Sequence, residues 1–527
     1  MKRSCVVVRV LIVTGRLAED SVRRYTTGLG MDIDIHTLPV SVAAFITPEA
    51  AAEALASMRG YDLILLPGTI RGDVTPVEEA TGTPTYKGPS DAHELPLILP
   101  FLDRLELSKT ESASELLRGV KGSLALKEIE ELEGSWREVL REEGGFVIGG
   151  EGREVAVGSA FPMRVIAEIV NAPTLTLDQI GRRARYFEAE GADIIDIGML
   201  ANDPKPERIG EMLDTVRSSV GLPVSIDTLE PTEIEAAVAA GVDLVLSVDA
   251  GNMEEVAEHV ADVPVVVLPS NMRMGLLPRS AEERFSAMFN NMLHAHELGI
   301  KRVIADLVLE PALKPGLLES LKAYQLFRQV DEDTPMLFGL GNATELIDVD
   351  STGVNGLLTA LAAEVGADLL FIPEHSPKAR GSVRETVTAS RMMFLAGRRD
   401  SLPKDIGLDL LVLKEKRWVE TPYDRSIEGE AEVVSAEPDA DLELDEAGWF
   451  RIGVDREGEA LVAIHYLEAG KPHLAVKGRD AAEVYQTILR RGLVRRYEHA
   501  AYLGKELTKA ELALRLGRSY VQDEPLF

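Results

Sequence analysis

The chain reads as an α/β protein organised around a closed (β/α)8 barrel, with a Rossmann-like α/β domain before it and a small α+β domain after it. Three observations predict this. Between Val165 and Gly397 one unit recurs eight times: a short apolar strand, a turn and an amphipathic helix. Several of these strands end on a polar residue, most clearly GADIIDIG (Gly191 to Gly198) and LPVSIDT (Leu222 to Thr228). The length of 527 residues exceeds one ordinary domain and leaves room for modules on both sides. Eight parallel units close into a barrel whose chemistry sits at the C-terminal ends of its strands, so the repeat marks its own functional rim.

The first segment, residues 1–150, holds two short apolar runs, Val6 to Val13 and Tyr61 to Leu66, which read as buried parallel strands. Pro48 to Met58 reads as helix between them. The loops after the strands carry Thr14-Gly15-Arg16 and Pro67-Gly68-Thr69-Ile70-Arg71-Gly72-Asp73. Neither forms a GxGxxG or a GxxxxGK[ST], so no dinucleotide or P-loop is assigned. Asp34-Ile35-His36-Thr37-Leu38-Pro39 has proline where a DxHxxG needs glycine, and His36 reads as an ordinary strand or turn residue. Arg71, Asp73, Tyr86 and Lys87 read first as turn residues and surface charge, with a polar cleft as the alternative. Ser108 to Gly150, rich in Glu and Arg, reads as a helical linker stopped by Glu142-Glu143-Gly144-Gly145.

The barrel segment, 151–403, predicts strands at Val165–Val170, Ile194–Ile197, Val224–Ile226, Leu244–Val248, Val265–Leu268, Arg302–Ala305, Met336–Phe338 and Leu369–Ile372. Helices are predicted at Leu177–Glu190, Glu207–Val220, Pro231–Ala240, Ala281–Leu298, Gly316–Val330 and Thr352–Val365, with Asp348 or Asp350 capping the last. His294 and His296 stand two apart on a helix and point away from each other, so they read as surface or packing residues rather than a metal pair. In the last segment, 404–527, Lys414-Glu415-Lys416-Arg417 marks the crossing and the acidic Ile427 to Leu442 reads as mobile or edge-forming. Trp449 to Val454 and Ala460 to Tyr466 flank Arg456-Glu457-Gly458-Glu459 as a β-hairpin. Helices Ala481–Arg491 and Glu498–Leu516 close the chain, and the second, with Tyr502, Glu506 and Glu511, is expected to pack on the barrel or on a second subunit.

Composition bounds the function. A hydrophobic fraction of 45% with 27% charged residues describes a globular protein with ample core. The net charge of −31 argues against nucleic acid and against anionic membranes. The single cysteine, Cys5, excludes an internal disulfide and a cysteine metal cluster. The start MKRSCVVVRVLIVTG is broken by Arg9 and reads as a first strand rather than a signal peptide. No run approaches 18 uninterrupted apolar residues, so a cytoplasmic protein is expected.

The polar residues at the strand ends form the candidate site. Asn171 follows the first barrel strand, Asp196 lies in the second and Asp227 ends the third. Ser247 and Asp249 end the fourth, Ser270 and Asn271 follow the fifth, and Asp306 ends the sixth. Asn342 follows the seventh, and Glu374 and His375 follow the eighth, with Lys378 and Arg380 just beyond. A closed barrel would gather these into a ring of carboxylates and amides with one basic sector. Acidic groups on strands three and six suit a flat heterocycle rich in N–H donors. The basic loop after strand eight suits phosphate. An amide such as Asn171 suits a phosphate-bound Mg²⁺.

These residues carry a resemblance. Ala167 to Val248 resembles the N-terminal half of dihydropteroate synthase, through Asn171, Ile195 to Gly198 (IDIG) and Ser225 to Thr228 (SIDT), with Asp306 beyond. The whole chain is more similar to the archaeal dihydropteroate synthase-related proteins. It shares VAAFITP (Val42 to Pro48), PGTIRGD (Pro67 to Asp73), GNATELIDVDS (Gly341 to Ser351) and HAAYLGKELTKAE (His499 to Glu511) with them. The resemblance implies a pterin pocket in which Asp227, Asp306 and Asn171 act on the substrate. Asp196, Ser247, Asp249, Asn271, Asn342, Glu374, His375, Lys378 and Arg380 would bind it, with Mg²⁺ at Asn171. It implies coupling of a dihydropterin methyl diphosphate to an arylamine, ribofuranosylaminobenzene phosphate, in tetrahydromethanopterin biosynthesis, and a homodimer.

Departures from the synthase pattern accompany it. Met199-Leu200-Ala201-Asn202-Asp203-Pro204 stands where an arylamine-closing loop belongs. Gly341-Asn342-Ala343 replaces the SRK after strand seven, so the pterin-contacting lysine is missing. Ile372-Pro373-Glu374-His375 replaces RVHD on strand eight, and Leu246 or Ser247 takes the place of the strand-four asparagine. The pterin end is partly kept and the arylamine end is rebuilt. Two alternatives stay open on these residues: a methyl-pterin:corrinoid methyltransferase, for which no cobalamin motif is present, and a non-catalytic pterin-binding protein.

Overall fold

A computed structural model of the chain describes residues 8–102, 105–117, 120–416, 432–436, 444–468 and 470–527. Cys5, Val6, Val7, Arg417 and the acidic stretch Ile427 to Leu442, apart from 432–436, lie outside the described residues. Two compact units emerge: Met1–His375 with Gly381–Leu411, and Ser376–Arg380 with Val412–Phe527. No helix of the described residues is long and apolar enough to cross a membrane.

The first unit opens with a four-stranded parallel sheet. Its strands are β1 (Arg9–Gly15), β2 (Asp32–Leu38), β3 (Leu63–Leu66) and β4 (Thr85–Lys87), in the order β2-β1-β3-β4. Alternate residues feed two cores. Leu11, Val13, Ile64 and Leu66 enter one, while Val10, Ile12, Leu63 and Leu65 enter the other. Continuous apolar runs are what a sheet covered on both faces requires. Strand β1 runs two residues beyond the predicted end, and His36 lies in β2. Arg71 and Asp73 line a cleft of about 870 Å³ with Thr47, Thr69 and Glu79. Lys87 is buried instead, donating from Nζ to the carbonyls of Ile70 and Thr110 at 2.8 Å each.

The expected helical linker is helical over Lys121–Gly134 and Trp136–Glu143. It then departs from the prediction. Gly144 and Gly145 turn the chain at φ +86° and +118°, and β5 (Phe146–Ile148) pairs antiparallel with β6 (Val155–Val157). Residue 150, placed at a domain boundary above, lies in the turn of this hairpin. Ile148 and Val157 join Ile166, Ile194, Leu244 and Ile304 in the barrel's inner core, so the hairpin closes the end opposite the functional rim.

The barrel strands are β7 (Arg164–Ile169), β8 (Ile194–Gly198), β9 (Val224–Asp227), β10 (Leu244–Val248), β11 (Val265–Val267), β12 (Val303–Ala305), β13 (Leu337–Gly339) and β14 (Leu369–Pro373). They are hydrogen-bonded in the order β12-β11-β10-β9-β8-β7-β14-β13, all parallel. A parallel bridge between Ala305 and Met336 joins the two ends into a ring. The predicted strands and helices recur within one or two residues. The helices run outside, two of them starting in capping boxes at Thr176/Gln179 and Ser280/Glu283. Asp350 occupies the N-cap of Ser351–Glu364, but its side chain makes no capping hydrogen bond.

In the second unit β15 (Trp449–Asp455), β16 (Ala460–Glu468) and β17 (Lys471–Gly478) form an antiparallel sheet. The hairpin matches the sequence reading; the third strand was not read from it. In the final helix, Tyr497–Arg515, Leu503, Leu507 and Ala510 pack with Phe450, Ile452 and Leu461 of the unit's own sheet.

Candidate functional site

Strand parity builds the site. On β7 Val165 and Ala167 face the outer core and Ile166 faces the barrel interior, so Glu168 also faces inward. On β8 the inward positions are Ile194, Asp196 and Gly198; on β9 they are Ser225 and Asp227; at β12 they are Ile304 and then Asp306. Apolar residues fill the lower interior, and carboxylates cap it on the rim side. Registry aligns Glu168 with Asp196, Asp196 with Ser225, and Gly198 with Asp227.

One oxygen each from Glu168, Asp196 and Asp227 lie within 4.8 Å of one another. Asp196 is wholly buried; Ser225 Oγ donates to its Oδ1 at 2.6 Å, and its Oδ2 has no partner among the described residues. Burial and the facing Asp227 push the Glu168 carboxyl up to about 8. Burial and then Asp306 push Asp227 up to about 7. Asp196 is raised well above the usual range by burial, with Asp227 and Glu168 adding repulsion. Burial lifts Asp306 to about 6 against three opposing influences: hydrogen bonds from Tyr324 and from the Val308 amide, and the charge of Arg284. Tyr324 donates its hydroxyl to Asp306 Oδ1 at 2.6 Å, and Val308 N–H donates there at 2.8 Å.

Arg284, with no exposed surface, holds the loop behind Asp306. It donates to the carbonyls of Leu307 and Val308, to Ser320 Oγ at 3.1 Å and to Glu310 Oε1 at 2.9 Å. Glu168, Tyr324 and Arg284 were not singled out in the sequence. The signals were available: an acidic residue inside an apolar strand, and a tyrosine and an arginine on the apolar faces of their helices.

The remaining rim residues divide. Asn171 sits at φ +52° after β7, half-buried, and its side chain caps no helix. A neutral amide oxygen with no hydrogen bond among the described residues fits one position on a hard divalent ion. Ser247 is buried in β10. Asp249 is engaged internally: Oδ2 accepts from Ser270 Oγ at 2.8 Å and Met272 N–H at 2.6 Å, and Oδ1 accepts from Gly251 N–H at 2.7 Å. Asn271 accepts from Met274 N–H at 3.2 Å, and Asn342 donates to the Leu309 carbonyl at 3.0 Å. Glu374 accepts from Tyr186 OH and Val383 N–H, both at 3.1 Å, and burial raises its pKa. The His375 backbone donates to Glu345 Oε1 at 2.9 Å. Lys378 and Arg380 fall in the second compact unit, at the short turn Pro377–Ala379. The structure thus gathers Asp196 and Asp227 with Glu168, and ties Asp249, Asn271, Asn342 and Glu374 into the framework of the loops.

Known proteins place this barrel in context. A family described as pterin binding enzyme matches residues 171–371. A family of unknown function, DUF6513, matches 8–90, and the family PterinBD-DUF4346 matches 444–523. Among solved structures, dihydropteroate synthase from Xanthomonas albilineans with 4-aminobenzoic acid is 20% identical, with a TM-score of 0.38, covering 47% of this chain and 96% of that one. The Thermus thermophilus enzyme in complex with 6HMPPP is 22% identical, with a TM-score of 0.34, covering 46% and 97%. The uncharacterized protein MJ0107 of Methanocaldococcus jannaschii is 38% identical over 538 residues, spanning 99% of each chain. With it, this chain belongs to the dihydropteroate synthase-related proteins, a family built around a pterin-binding barrel.

Proposed function

We propose that the barrel is a dihydropteroate synthase-like transferase, joining a dihydropterin methyl diphosphate to an arylamine. Ribofuranosylaminobenzene phosphate, the arylamine of tetrahydromethanopterin biosynthesis, is the acceptor this reading names. The observation that carries it is the pairing of half-buried carboxylates at Asp227 and Asp306, both held above the usual range by their surroundings, inside the stretch matched by the pterin-binding family. An aminopyrimidine ring presents adjacent N–H donors, and carboxylates fixed in a low-dielectric pocket bind such donors strongly.

In this mechanism Asp306, held by Tyr324, and Asp227 accept from the pterin N–H groups and fix its methylene carbon at the barrel mouth. The arylamine nitrogen attacks that carbon. The C–N bond forms as the C–O bond to diphosphate breaks, the diphosphate leaves with the electron pair, and the amine proton passes to solvent. Carboxylates around the mouth stabilise the positive charge that develops on the methylene. A Mg²⁺ ion at Asn171 would supply charge neutralisation for the departing diphosphate. His375 is assigned to the same phosphate end. The homodimer implied by the resemblance and the cytoplasmic location expected from the sequence belong to this proposal.

The test is incubation with dihydropterin methyl diphosphate, Mg²⁺ and either 4-aminobenzoate or ribofuranosylaminobenzene phosphate, scored by product mass and diphosphate release. A coupled product is expected, and Asp306→Ala should lower turnover at least about tenfold, ~1.4 kcal/mol. Pterin binding without product from either amine would instead favour a non-catalytic pterin-binding protein. Methyl transfer from a methylated pterin to a reduced corrinoid protein would favour the methyltransferase alternative.

A further inference from the structure

The innermost carboxylates of the mouth have a need that a pterin does not meet. Glu168, Asp196 and Asp227 bring three oxygens within 4.8 Å, and among the described residues none of the three pairs with a lysine, arginine or histidine. Among the described residues, the donor into the group is the Ser225 hydroxyl, to Asp196 Oδ1. Asp196 Oδ2, fully buried, is left with a lone pair and no donor. Such an atom in a native interior calls for a partner, since a buried acceptor without a donor is costly. The backbone is shaped around the group as well. A Cβ at Gly198 would overlap Glu168 Oε1, so the carboxylate occupies space that only glycine leaves open.

We propose that Glu168, Asp196 and Asp227 hold a divalent, oxygen-preferring metal ion of the Mg²⁺ or Mn²⁺ class inside the barrel mouth. The spacing comes close to what such an ion needs: the three oxygens lie within 4.8 Å of one another and would draw together by a few tenths of an ångström. Oxygens bound at about 2.0–2.1 Å around an octahedral ion stand roughly 3.0 Å apart when adjacent and about 4.2 Å apart when opposite. An all-carboxylate donor set selects hard ions over Zn²⁺ or Cu²⁺, which favour nitrogen and sulfur. Three carboxylates leave further positions for water or a ligand oxygen, as expected of an ion that retains part of its hydration shell. Asp227 offers one oxygen to the ion and keeps the other for a ligand. This ion is resident in the protein, unlike one carried in on a diphosphate near Asn171. The site stands on the barrel interior whether or not the pterin reading holds.

The test uses the full chain stripped with EDTA, in physiological salt and with no phosphate compound present. Mn²⁺ is titrated in, and free Mn²⁺ is read by electron paramagnetic resonance. One tight Mn²⁺ per chain is expected, displaced by Mg²⁺, and weakened at least tenfold in both Glu168→Gln and Asp196→Asn. Circular dichroism and melting of each variant establish that it is folded. The wild-type titration alone decides if a variant does not fold: absence of a saturable site overturns the proposal. So does Mn²⁺ bound equally by wild type and folded variants, the signature of the acidic surface. Pterin affinity is measured separately by calorimetry, so loss of the pterin reading with Mn²⁺ retained, or the reverse, identifies which idea has failed.

Discussion

Asp306 and Tyr324 show how one side-chain contact can set a pH range. Burial raises the Asp306 carboxyl to about 6, and the Tyr324 hydroxyl restrains that rise by donating to the ionised form. The unfolded carboxyl ionises near 3.8, so between roughly pH 4 and 6 the folded state holds the extra proton. Its stability contribution is full at low pH and is lost as pH rises through about 6. Ligand binding runs the other way. An ionised Asp306 accepts N–H donors, and a protonated one loses that capacity. Affinity for a pterin should therefore fall as pH drops through about 7, where Asp227 protonates, and again through about 6, where Asp306 does. Tyr324→Phe removes a hydrogen bond that lowers the pKa, so the fall should begin at higher pH. Calorimetric titrations between pH 5 and 8 check this, with Asp306→Asn expected to remove the step near 6 and leave the one that Asp227 contributes near 7. An unshifted midpoint in Tyr324→Phe would count against the role given to the hydroxyl.

At the scale of elements, the two-residue period of a strand decides what was legible. Asp196 and Asp227 stood out because each is an acidic residue in or ending an apolar strand, with inward parity fixed by its neighbours. Glu168 carries the same signal within RVIAEI, but the apolar Ile169 and Val170 separate it from the polar strand ending at Asn171. Arg284 was legible in principle, sharing the buried stripe of its helix with Ala281, Met288 and Ala295. Its partners, the carbonyls of Leu307 and Val308, lie on another loop, and no local pattern names them. The hairpin of β5 and β6 was hidden by length, since three-residue strands between glycines show no period. Parity also yields a test. Gly198 and Glu168 face inward on neighbouring strands, and a methyl at 198 competes with the carboxylate for one volume. Gly198→Ala should cost about 1–3 kcal/mol in denaturant unfolding, the usual range for overpacking. Adding Glu168→Ala should recover most of that loss. Simple additivity of the two substitutions would mean that they do not share the space.

Across the whole molecule, the chain divides its apolar residues among cores that do not run together. The barrel is filled by a large outer core and a smaller inner one, while Phe450, Ile452, Leu461, Val484, Leu503 and Leu507 form a core belonging to the second unit. A unit with its own sheet, helices and buried core has what it needs to melt cooperatively by itself. The family matches follow the same division, with 171–371 in the barrel and 444–523 in the second unit. Calorimetry of the full chain should therefore show more than one transition. Leu507, with no exposed surface, faces Phe450 and Ile452 from the last helix. Leu507→Ala should destabilise one transition by about 2–5 kcal/mol, the range for emptying a buried leucine site, and leave the other in place. Phe327→Ala, in the outer barrel core, should act on the other transition by about 3–5 kcal/mol. If both substitutions move a single common transition, the units fold as one body and their separate cores are not separate cooperative units.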